Sequence, residues 1–371
     1  MRSVLSLCQA LRRRGIELSV VATTADGSRE LVAGRRDYDG VPVSYFERDF
    51  PRRFFRSREL AQEVDRRLGE DPPSIVHLHG LWNWSIWSAA AACMAHRVPY
   101  VLSPRGMLTP SAMAHHALRK TISYRFVDER VLRGASAIHV TSSAEQESIE
   151  RRAGRRAVLI PNGVSVPPPS ELGPPRMRKR LGVPDNDCLF VYLGRLHRIK
   201  RLDLLIAAFR RLEQTRDDCW LVLAGPEDGV RRDELLRIAG ESRVRVIGPL
   251  EGPDKWSLLA ESDALVLCSD SESFGMSVAE AQACGRPVVV SRTCPWSLVE
   301  EYQSGFWVDQ DEPALADAMA RIAGDPDEAR DMGKRGRRLA SEELDWSQLA
   351  QRMAALYREI AEPAPAASLA R

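Results

Sequence analysis

No two of the seven cysteines, Cys8, Cys93, Cys188, Cys219, Cys268, Cys284 and Cys294, form a CxxC pair, and most lie inside apolar runs. That spacing excludes a disulfide framework and a cysteine-based zinc site, and it reads as buried free thiols in a reducing compartment. No apolar run is long enough for a membrane span. The opening MRSVLSLCQALRRRG is interrupted by Gln9, ends on arginines and lacks a small-residue cleavage site, so it reads as an amphipathic helix and not a signal peptide. Excess charge is also missing. A net charge of +2 gives no global attraction to nucleic acid, so any basic surface must be local. No GxGxxG follows a strand-like run, and there is no Walker loop or GxSxG elbow, which argues against a nicotinamide dehydrogenase, a P-loop enzyme and an α/β-hydrolase. Asp185-Asn186-Asp187 fits the letters of a metal-binding Asp-x-Asp but precedes a strand-like run, so it reads as a turn.

What is present is alternation. A chain of 371 residues is too long for one ordinary core, and 44% hydrophobic with 28% charged residues describes a globular protein of two domains. Strand-like runs alternate with amphipathic segments in both halves, the mark of doubly wound parallel α/β sheets. The first half opens on a helix, Ser3 to Arg14, followed by strands at Ile16 to Ala22, Val41 to Phe46, Ser74 to His79, Tyr100 to Ser103 and Ala137 to Thr141. Five prolines between Ser165 and Pro175 mark a linker. The second half repeats the alternation with strands at Cys188 to Leu193, Cys219 to Ala224, Val244 to Gly248, Ala264 to Cys268 and Val288 to Val290. The expected boundaries are therefore 1–164, a linker 165–175, 176–345, a final helix 346–361 and a frayed tail 362–371.

The most informative stretch is Cys268 to Val290, CSDSESFGMSVAEAQACGRPVVV. It reads as strand, loop and helix, with Glu272 in the loop and Glu280 in the helix. Ligands of open α/β sheets bind beyond the carboxyl ends of strands, and the unpaired N–H groups of a helix start attract anions, so Gly275 and Met276 offer a phosphate a landing place. A phosphate site beside a carboxylate suited to hydroxyls suggests a nucleotide sugar.

This stretch resembles the donor-site signature of glycosyltransferase family 4 (glycosyl transferases group 1), a set of retaining enzymes with the GT-B fold. Glu272, Phe274, Gly275, Glu280 and Ala281 match that signature. Gly194, Arg195 and Lys200 in GRLHRIK match its Gly-Arg and Lys positions, which clamp the donor diphosphate, although Arg201 stands where the family often has Gly. The resemblance implies two Rossmann-like domains facing a cleft, with the final helix crossing back to the first. It also implies Glu280 on the ribose hydroxyls, Glu272 on the donor sugar, backbone around Gly248 and Leu250 on the base, and no metal or other cofactor. His79, at the end of its strand, would point toward the donor sugar. Arg105, in SPRGML, is the acceptor-side or phosphate-facing candidate. Trp82 or Trp84 could stack on a sugar, whereas Trp87 suits core packing, and a solvated face explains His115 and His116.

The partners expected are a nucleoside-diphosphate sugar and a glycan or lipid-linked acceptor in cell-surface polysaccharide or glycolipid assembly, with no nucleic acid. Five arginines from Arg48 to Arg58, interleaved with Phe50, Phe54 and Phe55, could dock a cytoplasmic protein on an anionic membrane, or could be a structural loop with its rings in the core. A sugar-nucleotide epimerase of the same architecture, or a binding subunit without turnover, would carry the same motifs. A doubly wound domain normally begins with a central strand and a glycine-rich turn, yet this sequence opens on the helix. The expectation is a first domain lacking that strand and turn, a chain that starts upstream, and reduced stability and activity in this form.

Overall fold

The computed structural model describes residues 2–26, 29–50, 52–109, 112–113, 123–166 and 176–362. His115, His116, most of the expected linker and the tail beyond residue 362 lie outside the described residues. The chain divides into two compact units, residues 1–162 with 346–371, and residues 163–345.

Unit 1 opens on α1 (Arg2–Arg13), followed by β1 (Val20–Thr23), the short pair β2 (Ala25–Asp26) and β3 (Arg29–Glu30), then β4 (Gly34–Tyr38) and β5 (Val41–Phe46). Then come α2 (Arg58–Glu70), β6 (Val76–His79), α3 (Trp84–His96), β7 (Tyr100–Ser103), α4 (Glu129–Gly134), β8 (Ala137–Val140), α5 (Ser143–Ala153) and β9 (Ala157–Leu159). Polar residues just outside the helices fix their starts. Ser57 Oγ accepts from Leu60 N at 3.3 Å before α2, and Asn83 Oδ1 from Ile86 N at 3.0 Å before α3.

The strands of unit 1 form separate sheets. Order β1-β5-β4 makes a three-stranded sheet and β6-β7-β8-β9 a four-stranded parallel one, with no ladder between β1 and β6 among the described residues. Helix α1 is the first element, as expected, and packs on β5. Two differences have simple causes. Strand β1 starts at Val20 and not Ile16, because Ile16 follows the helix-ending turn at Arg14 and Gly15. The antiparallel strand β4 escaped notice because its GRRDY carries no apolar alternation. It turns into β5 through Asp39 and Gly40, both at positive φ, 52° and 85°, the geometry that tight hairpins favour.

Unit 2 is one continuous sheet. It contains α6 (Met177–Leu181), β10 (Cys188–Leu193), α7 (Leu202–Glu213), β11 (Cys219–Ala224), α8 (Arg232–Ala239), β12 (Val244–Ile247), α9 (Gly252–Glu261) and β13 (Ala264–Leu267). It continues with α10 (Met276–Ala283), β14 (Val288–Ser291), α11 (Leu298–Glu301), β15 (Gly305–Val308), α12 (Glu312–Gly324) and α13 (Pro326–Glu343). The six strands are parallel in order β12-β11-β10-β13-β14-β15. Strands β13 and β14 are buried throughout, which explains their unbroken apolar sequences: a parallel sheet is covered on both faces. The edge strand β15 was not foreseen in the sequence. The last helix, α14 (Trp346–Ala361), belongs to unit 1, where it packs on α1 through Leu349, Ala350 and Met353.

Candidate functional site

In unit 2 the strand order reverses between β10 and β13, and a crevice at the carboxyl ends of two such strands is where open α/β sheets take ligands. The loops leaving these strands carry the two sequence motifs. Asp270 N donates to Ile199 O at 2.8 Å, tying one loop to the other. Lys200 Nζ donates to Glu272 Oε1, and both side chains are largely withdrawn from solvent. Ser269 Oγ holds the same Glu272 oxygen at 3.0 Å. Residues far apart in sequence thus form a cation and carboxylate in direct contact at the switch point.

The start of α10 completes this edge. Gly275 stands just before it at φ 89°, and a Cβ there would lie 2.8 Å from Trp296 Nε1, so only glycine fits the turn. The Trp296 indole N–H donates to Phe274 O, and the Phe274 and Trp296 rings lie 5.3 Å apart. Phe274 is therefore a buried wedge that shapes the loop. No side chain caps α10; the Val278 N–H donates to Gly275 O at 3.0 Å, which leaves the N–H groups of Met276 and Ser277 to meet an anion. Gly194 lies beside Gly225, where a Cβ would come 1.7 Å from Gly194 O, so the ends of β10 and β11 meet backbone to backbone.

Glu280 sits in the second turn of α10 and accepts a 2.8 Å bond from Lys255 Nζ. Lys255 also lies over the Trp256 ring at 4.0 Å. Sequence reading missed Lys255 because a lone lysine on α9 carries no motif. Arg195 is not brought to Glu272: it is exposed and pairs with Asp228. Gly248 and Leu250 follow β12, with Gly248 exposed and Leu250 packed partly against the core.

Unit 1 holds a second polar group, at the carboxyl ends of β6 and β7. His139 Nε2 lies 2.8 Å from Ile160 O, a pure acceptor, so this nitrogen carries the proton. His139 Nδ1 then accepts from Ser103 Oγ at 2.6 Å, Ser103 accepts from His77 Nε2 at 2.7 Å, and His77 Nδ1 accepts from Tyr357 Oη at 2.6 Å. One proton arrangement satisfies the whole chain, with all three links dictated by its carbonyl end. Burial pushes His77 and His139 below the ordinary histidine range, His139 to about 3, and nearby positive charge on Arg105 adds to this.

His79 stacks on His77 with ring centroids 4.1 Å apart and is likewise held neutral, by burial first and then by its histidine and arginine neighbours. Arg105 donates to His79 Nδ1 at 3.2 Å and to Asn162 Oδ1 at 2.8 Å. The proton of His79 is therefore on Nε2, which has no partner among the described residues. Arg105 has no carboxylate partner among the described residues either, and burial lowers its pKa. The adjacent Gly106 N–H is spent on the buried Glu145, at 2.5 Å. His77, Ser103, His139 and Tyr357 went unrecognised as a network, since the strand alternation showed only that His77 and His79 share a face.

Trp87 Nε1 donates to Asp128 at 2.8 Å and its ring packs on the core, while Trp84 opens α3. The segment Arg48 to Arg58 exposes Phe50, Phe54 and Phe55. Arg48 and Arg52 pair with Glu30, and Arg56 and Arg58 with Asp49, so much of its positive charge is balanced. Asp185 and Asn186 lie in a turn. All seven cysteines are free. Among the described residues no three His, Cys, Asp or Glu side chains converge as a metal ion would require, and no helix is long and apolar enough to cross a membrane.

Two family models match, one to each half: "Glycosyl transferase 4-like domain" over residues 2–163 and "Glycosyl transferases group 1" over residues 175–339. The chain belongs to glycosyltransferase family 4. This glycosyltransferase is 28% identical to a D-inositol 3-phosphate glycosyltransferase of Xylanimonas cellulosilytica, over 98% of its own length and 92% of the relative's. It has the two-domain GT-B fold. It superposes on HepE from Anabaena, solved with UDP and glucose, with a TM-score of 0.72 at 21% identity, covering 96% of this chain and 95% of that one. A sucrose-phosphate synthase from Thermosynechococcus elongatus gives a TM-score of 0.73 at 22% identity, covering 96% of this chain and 92% of that one.

Proposed function

We propose that this glycosyltransferase moves a hexosyl group from a nucleoside-diphosphate sugar to an acceptor hydroxyl with retention at the anomeric carbon. The observation that carries the reading is the contact of Lys200 with Glu272 beside the uncapped start of α10. A departing nucleoside diphosphate gathers charge in the transition state, and a fixed ammonium with helix N–H groups stabilises it more there than in the ground state. Lys200 serves this role. Arg195 joins it by exchanging Asp228 for the diphosphate. Glu280, oriented by Lys255, accepts from the ribose hydroxyls, and Glu272 accepts from a donor-sugar hydroxyl as Lys200 turns to phosphate. Backbone at Gly248 and Leu250 faces the base. In unit 1, His79 offers its Nε2–H to a sugar hydroxyl and Arg105, with no carboxylate partner among the described residues, attracts phosphate. The reaction proceeds without a metal ion. HepE's structure with UDP and glucose supports a uridine nucleotide as the first donor to try.

For the acceptor, the exposed Phe50 and Phe54 beside Arg52 and Arg58 favour a lipid-linked glycan at an anionic membrane surface, in cell-surface polysaccharide or glycolipid assembly. A phosphorylated polyol is the second reading, favoured by the name of the Xylanimonas cellulosilytica relative and by the buried Arg105. The test is a thermal-shift screen of uridine, guanosine and adenosine diphosphate sugars, then product analysis with and without each acceptor class in EDTA. Donor-induced stabilisation and an acceptor-dependent product with the donor's anomeric configuration are expected. Stabilisation without turnover would identify a binding subunit, and free epimerised sugar an epimerase. No stabilisation by any nucleotide sugar would overturn the reading.

A further inference from the structure

A cavity of about 820 Å³ opens at the amino-terminal ends of the unit 2 strands, where Cys188 enters β10, Pro287 leads into β14, and α13 runs past. It lies across the strands from Lys200 and Glu272. Ile322, Ala323 and Ala329 line it with apolar carbon, and its size suits a small organic molecule.

Most charges around this cavity are already matched. Arg216 pairs with Asp218, and Asp263 with Arg178. Arg330, Lys334 and Arg338 pair along α13 with Asp327, Asp331 and Glu342. Arg286 and Arg337 stand apart: neither has a carboxylate partner among the described residues. Arg286 Nη2 donates to Ala260 O, its Nε is buried without a partner, and its Nη1 makes no bond among the described residues. Arg337 Nη2 donates to Cys284 O at 3.2 Å, and its guanidinium lies over Gly285, where a Cβ would come within 3.0 Å of Nη2. Burial disfavours the charge on Arg286; nearby Asp263 offsets part of this, and the positive neighbours Arg178 and Arg337 add to it. An anion at this position would relieve that cost, and a guanidinium fork matches the oxygens of a phosphate.

We propose that this cavity binds the phosphate group of a small organic phosphate between the guanidinium groups of Arg286 and Arg337, with the organic part against Ile322 and Ala329. The site is separate from the one read as the donor site. Helix α10 joins the two: it carries Glu280 and ends against the loop of Gly285 and Arg286.

The probe is inorganic pyrophosphate, titrated by calorimetry into the full chain and into the Arg195→Ala/Lys200→Ala double variant, which removes the donor-side cations. The parent is expected to bind pyrophosphate at two sites, the donor-side cations and the cavity, and the double variant to retain the cavity binding. Arg337→Gln, at an exposed position, should weaken it about tenfold or more, as should Arg286→Gln if its melting temperature matches the parent. A second arm sediments the chain with phosphatidic acid vesicles. Binding there alone, lost in Arg337→Gln, would assign the phosphate to a lipid headgroup. The proposal is overturned if neither probe binds the double variant, or if binding to the double variant is unchanged when Arg337→Gln is added.

Discussion

The two units solve the same architectural problem differently. Unit 2 lays six parallel strands in one ladder over one continuous core. Unit 1 divides its strands between sheets of three and four, and its buried residues fall into separate clusters around β6 to β9, α14, and β5. The chemistry follows the same division. In unit 2 the polar residues sit on loops and helices at the rim of an apolar sheet, where Lys200 pairs with Glu272 and Lys255 with Glu280. In unit 1 polar side chains lie within the fold, at strand ends, and burial holds His77, His79 and His139 neutral. One unit places charge on a rigid apolar frame, and the other spends part of its interior on a hydrogen-bonded polar chain.

The largest expected effect tests the charged rim. Lys200→Ala should lower turnover about a hundredfold or more, since the stabilisation it supplies grows with leaving-group charge, and should also lower the melting temperature because Glu272 loses its ion partner. Wild-type turnover in that variant would remove the reason for separating rim from frame. Next, Glu280→Gln should raise KM for the donor about tenfold with little change in kcat. Lys255→Met should shift KM the same way if it orients that carboxylate. A normal KM in Lys255→Met would make the ion pair merely structural.

The third test addresses unit 1 by acid. Histidines whose folded pKa lies below the unfolded value near 6.5 take up protons more readily when unfolded, so stability falls as pH drops through about 6.5. For His139 the loss continues down to about 3. Each such histidine contributes a slope of up to about 1.4 kcal/mol per pH unit, which thermal unfolding between pH 7.5 and 5 would read. His139→Gln should flatten that slope; an unaltered one would mean the chain does not govern acid sensitivity. The smallest effect concerns the arginine segment. Attraction of about 1 kcal/mol per arginine is reduced where Glu30 and Asp49 pair with it, so sedimentation with anionic vesicles should be modest and lost at high salt. Converting the five arginines to serine should abolish it, and persistence would leave the segment a structural loop.

The same contrast decided what could be read from sequence. The unit 2 site was legible because Glu272, Gly275 and Glu280 fall within one short stretch, and Gly194, Arg195 and Lys200 within another. The strands there are unbroken apolar runs bounded by turn residues. Lys255 was invisible because its meaning comes from a helix-to-helix approach that no local pattern encodes. The unit 1 chain draws on β6, β7, β8 and α14, so no window of sequence contains it. Strand β4 was missed for another reason: an exposed edge strand needs no apolar face, only a partner and a turn.

The buried contact between Gly275 and Trp296 constrains how this loop could change over generations. The tryptophan lies beyond β14, outside the motif, yet its indole occupies the space a side chain at position 275 would need. Any replacement of the glycine meets the tryptophan, and the φ of 89° would strain another residue there even after the tryptophan had become smaller. Losing the tryptophan alone removes the N–H that holds the Phe274 carbonyl. The two positions therefore form a ratchet: neither can move first without cost, so variation in donor preference has easier routes through neighbouring loop residues than through this pair.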